Sequence, residues 1–244
     1  MPHNAVTIVT GAGSGIGRAV CLRLARAGQR LALVGRTEAS LRETQRLIGD
    51  VADNRAETLV ITADVAAPQA AHRIADPVLE RWGRVDALVN NAGMAPLLPI
   101  EQTDHARLVE TFQLNVFGPA LLIAHLWPVF RTQGGGRIVN VASRAVVDPF
   151  PGFFMYAASK AAIDSFTRSI ENEGAAAGIC AFTVAPGAVE TAMLRRAFSQ
   201  EQVPPDQAAD PDDVAAVIAE CVLGRRDAER GTCIEIRRSA PASG

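Results

Sequence analysis

Val6 to Ala27 reads VTIVTGAGSGIGRAVCLRLARA, and this stretch decides the fold. A β-compatible run, Val6–Thr10, stops at a glycine-rich turn that opens directly into a segment of helical period. In that segment Ile16, Val20, Leu24 and Ala27 share one stripe with arginines opposite, and Gly28 supplies a left-handed stop. Strand, glycine turn and helix in that order are the context a phosphate-cradling loop requires. Gly11 permits the tight turn and Gly15 lets backbone approach a pyrophosphate. Gly17 lets the helix pack closely on the sheet, while Ser14 and Ile16 complete the loop. The unpaired amides at the helix start favour an anionic phosphate. The spacing is G-x-x-x-G-x-G; Ile16 stands where the G-x-G-x-x-G pattern needs glycine.

Working outward, short β-branched or apolar runs recur at residues 30–35, 58–62, 86–90, 137–142, 179–185 and 233–236, with segments of helical period between most of them. Such alternation predicts an α/β fold: a Rossmann-type, doubly wound sandwich with a mostly parallel seven-stranded sheet flanked by helices. One domain is expected over residues 1–244, with a disordered tail at 239–244. Two proline-containing stretches, 148–152 and 202–211, break the period and are expected as loops over the site.

Composition removes several function classes. The net charge is −2 and the basic residues are scattered, so no nucleic-acid or anionic-membrane partner is expected. No apolar run approaches the ~18 residues of a membrane span, and Met1–Asn4 carries no basic leader, so a cytoplasmic protein with a small-molecule partner is expected. Cys21, Cys180, Cys221 and Cys233 have no C-x-x-C spacing and read as buried free thiols. His3, His72, His105 and His125 show no ligand spacing, so no metal is expected.

The second strand ends at Gly35-Arg36, about 20 residues past the glycine loop, where an acid would bond a ribose 2′-hydroxyl. No acid stands there. Gly35 makes room and Arg36 has the charge to pair with a 2′-phosphate, which favours NADP over NAD. Asp64-Val65 closes the third strand and Asn90-Asn91-Ala92-Gly93 follows the fourth, both at carboxyl ends where ligands collect in such sheets. Pro186-Gly187, Val189 and Thr191 follow the sixth strand, within reach of a nicotinamide carboxamide.

The chain has one tyrosine, Tyr156, and one lysine, Lys160, against 23 arginines (24 basic residues less the lysine). They stand four residues apart, so on a helix they share a face. Chance gives that ordered spacing with a probability of about the reciprocal of the chain length. Carbonyl reduction needs a proton delivered and alcohol oxidation needs one removed, but a free phenol has a pKa near ~10. A nearby ammonium favours phenolate, and its compact head suits ribose hydroxyls better than a guanidinium. Ser143, at the end of the fifth strand, has a hydroxyl suited to the substrate oxygen. Asn115 is a poor helix former inside a long helical segment, about 103–131, which suggests a bonding role.

In chain order these pieces resemble the short-chain dehydrogenase/reductase family, over roughly Ala5 to Ile236. The resemblance implies a tetrad: Tyr156 as acid/base, Ser143 orienting substrate, Lys160 lowering the phenol pKa, and Asn115 supporting a proton-relay water. It also implies a homodimer or homotetramer built on the helices containing Asn115 and Tyr156. Relatives that prefer NADP often carry arginine where this chain has Ser14, so NADP rests on Arg36. Arg237-Arg238 replaces the Asp-Gly-Gly common after the last strand, which bears on a tetramer contact there.

The loops expected at the nicotinamide carry Met94, Leu97, Val146, Phe150, Phe153, Phe154, Met193, Leu194 and Phe198, so the expected substrate is an apolar ketone or secondary alcohol, of the 3-oxoacyl kind among others. Arg144 reads either as an anion-recognising group or as an ion-paired arginine. A non-catalytic NAD(P)-sensing or scaffold protein on the same fold is the rival from another class. Isomerisation or dehydration with retained cofactor is a third.

Overall fold

Each predicted strand forms, and all seven lie in one parallel sheet. The computed structural model describes residues 4–52 and 56–236; the expected tail disorder, the Arg237-Arg238 departure and His3 lie outside the described residues. In chain order the strands are β1 Val6–Thr10, β2 Arg30–Gly35, β3 Thr58–Thr62, β4 Ala87–Asn90, β5 Gly136–Val141, β6 Ile179–Pro186 and β7 Cys233–Ile236. The helices are α1 Gly15–Arg26, α2 Glu38–Val51, α3 Ala70–Trp82, α4 His105–Phe112, α5 Gly118–Thr132, α6 Phe154–Gly174, α7 Ala192–Ala197 and α8 Pro211–Leu223. The spatial order is β3-β2-β1-β4-β5-β6-β7. Chain direction through the sheet therefore reverses between β1 and β4, and the crevice beyond their carboxyl ends is where such sheets bind ligands.

Buried on both faces, the strands alternate between two cores. Leu31 and Leu33 of β2 face Leu24, Leu41, Val214 and Ile218, from α1, α2 and α8. Ala32 and Val34 face the opposite way, into a core with Ile74, Leu122, Leu126 and Phe130 from α3 and α5. Gly28 is left-handed at φ 73°, as expected of the stop after α1.

Three expectations need correction. The segment 103–131 is not one α-helix: Gln113–Phe117 forms a π-helical turn between α4 and α5, and Asn115 sits on it. Such turns are uncommon and are frequent at functional sites. The stretch 202–211 is only partly loop, because Asp210 caps α8 by accepting from the Asp212 amide and Pro211 is the first helical residue. And His105–Thr132 is, by length and composition, apolar enough to cross a membrane. In this fold it lies along the sheet, with Leu122, Leu126 and Phe130 buried while Phe117 and Leu121 face outward.

Candidate active site

A cleft of about 750 Å³ runs along the carboxyl ends of β1 to β6. At one end Gly13, Ser14, Gly15 and Ile16 line it, and Gly11 and Gly15 are left-handed at φ 68° and 50°. Ser14, at the N-cap, makes no side-chain capping bond, so the first-turn amides of α1 have no partner from it. A Cβ on Gly15 would lie 3.1 Å from Thr191 Cγ2, which marks how closely the opposite wall approaches the loop. Thr191 is fixed there as the N-cap of α7, accepting from the Leu194 amide at 3.3 Å. These features fit a pyrophosphate: a glycine cradle with backbone donors and space only where side chains are missing.

Arg36, Thr37 and Ser40 flank that end of the cleft with Gly35, and Asp64 and Val65 form the next stretch of wall. Asp64 shapes its own turn, its Oδ1 accepting from the Ala66 amide at 3.0 Å. Asn91, Ala92 and Gly93 follow. Their placement rests on Thr10, whose hydroxyl donates to Val89 O at 3.2 Å and accepts from the amides of Asn91 and Ala92, both at 3.0 Å. The Asn91 side chain returns a bond to Thr10 O at 2.9 Å. Thr10 was legible as the strand end that opens the glycine loop; its role as a clip on the β4 loop was not.

At the other end Ser143, Tyr156 and Lys160 face the cleft with Pro186, Gly187, Val189 and Thr191. Two predicted site residues do not line it. Gly17 is buried and packs: a Cβ there would meet Gly11 O at 2.2 Å. Asn115, 1% exposed, stands behind the wall, and both of its side-chain N–H donors are used. Its amide nitrogen donates to Met94 O and to Ser159 Oγ, both at 2.9 Å, while its Oδ1 accepts from the Met94 amide at 2.9 Å. Ser159, itself donating to Tyr156 O at 2.7 Å, thus links Asn115 to the tyrosine helix. Ser159 was missed in the sequence, where a lone helical serine carries no signal.

The electrostatics differ from the simple expectation. Burial pushes the Tyr156 phenol above its ordinary value, and only the hydrogen bond with the Ser143 hydroxyl pulls it down. Lys160 Nζ donates to Val141 O at 2.7 Å and lies 5.9 Å from the Tyr156 ring centroid. Burial lowers Lys160 to about 8, since little around it compensates the charge. The lysine is therefore anchored to β5 beside the tyrosine ring.

Of the expected apolar set, Met94, Phe150, Phe153, Met193, Leu194 and Phe198 line the cleft. Three do not. Phe154 points outward at 51% exposure, Val146 packs into a small core with Ile163, and Leu97 packs against the Gly152 turn. A relay of ring contacts ends on Tyr156: Phe150 lies 5.1 Å from Phe198, Phe198 5.8 Å from Phe153, and Phe153 4.9 Å from the tyrosine ring. Arg144 is ion-paired, 3.4 Å from Glu235 and 3.9 Å from Asp148, so its charge is matched within the protein.

The sequence profile of the short chain dehydrogenases matches residues 5–202. The chain belongs to that family. It is an oxidoreductase of a family that uses NAD(H) or NADP(H). It is 34% identical over 224 residues to glucose and ribitol dehydrogenase homolog 2 of Arabidopsis thaliana, covering 87% of this chain and 77% of that one. The crystal structure of levodione reductase superposes with a TM-score of 0.89 at 28% identity, over 96% of each chain. The 3-ketoacyl-(acyl-carrier-protein) reductase of Brucella melitensis, complexed with NADH, does so with a TM-score of 0.87 at 28% identity, again over 96% of each.

Proposed function

We propose that the enzyme is an NADPH-dependent carbonyl reductase for apolar ketones, 3-oxoacyl compounds among them, able to run in reverse on secondary alcohols. The observation that carries this is the Ser143–Tyr156 hydroxyl pair at the floor of a cleft walled by three phenylalanines. When bound, the reduced nicotinamide supplies a hydride to the carbonyl carbon. Ser143 donates to the carbonyl oxygen and fixes its direction. Tyr156, kept neutral by burial, gives its phenolic proton to that oxygen as negative charge develops there. Lys160 binds ribose hydroxyls and restrains the tyrosine face of α6; Asn115 holds the β4 loop through Met94 and so sets the floor of the cofactor channel. Phe150, Phe153 and Phe198 exclude water from the reacting centre and select apolar substrates. Both Asn115 amide protons are used, so a relay water served by its side chain would have to donate to Oδ1, which accepts from the Met94 amide alone.

NADPH is preferred over NADH because Arg36 flanks the cleft beside Gly35 and Thr37, where a 2′-phosphate would fall. Initial rates with a panel of apolar ketones, 3-oxoacyl thioesters and sugars test both points. Wild type turns over the first two groups faster with NADPH, and Arg36→Asp reverses the coenzyme ratio by about tenfold or more, the loss of a charged hydrogen bond and its replacement by repulsion. Equal NADPH and NADH rates, or turnover of sugars alone, would sink the corresponding half of the reading.

The continuous seven-stranded sheet supports a single domain over 1–244. We also propose a homo-oligomer paired through α5 and α6. Leu121 of α5 and Phe117, the residue just before it, stand 50% and 48% exposed. Beside them a groove of about 340 Å³ is lined by Ile123, Trp127, Phe166 and Ile170. Exposed apolar faces of this kind mark contact surfaces. Light scattering should give a dimer or tetramer that Leu121→Arg converts to smaller species; a wild-type monomer refutes it.

A further inference from the structure

Away from the cleft, the fold undoes the expectation that the histidines are unrelated. His72 and Asp76 are four residues apart on α3 and so share one face. His125 of α5 meets them from the neighbouring helix. Asp76 Oδ1 is 2.9 Å from His125 Nε2, and Asp76 Oδ2 is 3.4 Å from His72 Nδ1. The two imidazoles lie edge to face with centroids 4.3 Å apart, and one donor atom from each of the three residues falls within 4.8 Å of the others.

We propose that His72, Asp76 and His125 form a divalent transition-metal site of the Zn²⁺ or Co²⁺ class, bracing α3 to α5. Ligand bonds of about 2.0–2.2 Å place neighbouring donors of a tetrahedral ion about 3.3–3.6 Å apart. The His72–Asp76 contact of 3.4 Å falls on that edge, and the His125–Asp76 contact of 2.9 Å lies just inside it. The remaining gap closes by a swing of the His72 side chain, which is 68% exposed. His125, at 23% exposure, is the fixed ligand and faces Asp76 from across the helix boundary. Two imidazoles with one carboxylate suit borderline ions and not Mg²⁺ or Ca²⁺, which demand oxygen-rich shells. The remaining position opens to solvent and takes water. The proposal rests on no step of the carbonyl chemistry.

The test uses the intact enzyme, stripped with chelator and returned to chelator-free buffer. Zn²⁺ is titrated calorimetrically, Co²⁺ is followed by its visible absorption, and thermal melts are recorded with and without Zn²⁺. The expected result is one ion per chain, a tetrahedral or five-coordinate Co²⁺ spectrum without thiolate charge transfer, and a rise in melting temperature. His72→Ala and His125→Ala should each weaken binding about tenfold or more and abolish the rise. His72→Ala removes only an exposed side chain, so it keeps the test valid if His125→Ala folds poorly. Binding that is unchanged in His72→Ala, a thiolate band assigning the ion to a cysteine, or no saturable uptake by wild type would each overturn the proposal.

Discussion

Tyr156→Phe should lower kcat for ketone reduction by about 10²–10⁴-fold, the range expected when a general acid is removed, with the KM for coenzyme little changed. The substitution deletes one oxygen, whose partner within the protein is the Ser143 hydroxyl. The ring remains, still packed at a tilt against Phe153, so the 4.9 Å contact and the wall it builds persist. Because burial raises the phenol, wild-type reduction should hold steady through neutral pH and fall only as the alkaline titration removes the proton to be donated. Alcohol oxidation needs the phenolate and so should rise over that same alkaline range. In Tyr156→Phe neither limb should follow the phenol. Steady-state rates across pH, with coenzyme binding followed by fluorescence, make the comparison. Tight coenzyme binding with no turnover by wild type would favour the sensing or scaffold reading; equal turnover by both proteins would remove Tyr156 from the chemistry.

The features legible in the sequence were those written in local pattern. The β1–turn–α1 stretch carried its periodicity switch and its glycines within a single supersecondary unit, so both the fold and the glycine-lined end of the cleft could be read there. Tyr156 and Lys160 were legible because composition isolates them in a chain that uses arginine almost everywhere. What escaped depends on contacts between distant segments. Asn115 and Ser159 are 44 residues apart and joined by one hydrogen bond, and Thr10 meets the β4 loop across about 80 residues. No spacing rule encodes such pairs. His72 and His125 failed for the same reason, since only the packing of α3 on α5 brings them together. The pKa of Tyr156 also depends on surroundings: the sequence supplied the neighbouring cation, whereas the fold supplied the desolvation that opposes it.

Gly17→Ala gives the second large effect, and its sign is decided by two opposed magnitudes. Gly17 is the third residue of α1, and by intrinsic propensity alanine in a helix is favoured over glycine by about 0.8–1 kcal/mol. A helix-propensity argument alone therefore predicts stabilisation. The space is not there, however: the new methyl would stand 2.2 Å from Gly11 O and 2.6 Å from Asn91 Nδ2. Gly11 O is backbone in a turn held at φ 68°, and Asn91 is tied to Thr10 O, so neither yields cheaply. Overpacking of this kind costs roughly 1–3 kcal/mol and more when main chain must move, so the clash wins. A net loss of about 2–3 kcal/mol should lower the melting temperature by roughly 4–12 °C for a chain of this size. Coenzyme affinity should fall by a larger factor than stability alone explains, because the displaced atoms belong to the cradle itself. Gly83→Ala supplies the contrast. Gly83, unlike Gly17, is left-handed, at φ 70° at the end of α3, and no atom lies within 4 Å of its Cβ position. It should lose only the left-handed strain, about 1–2 kcal/mol, with coenzyme affinity unchanged. Differential scanning calorimetry and coenzyme titration of the two variants separate the causes. If Gly17→Ala melts at or above wild type and binds coenzyme normally, the close packing of α1 against the Gly11 turn does not govern the site.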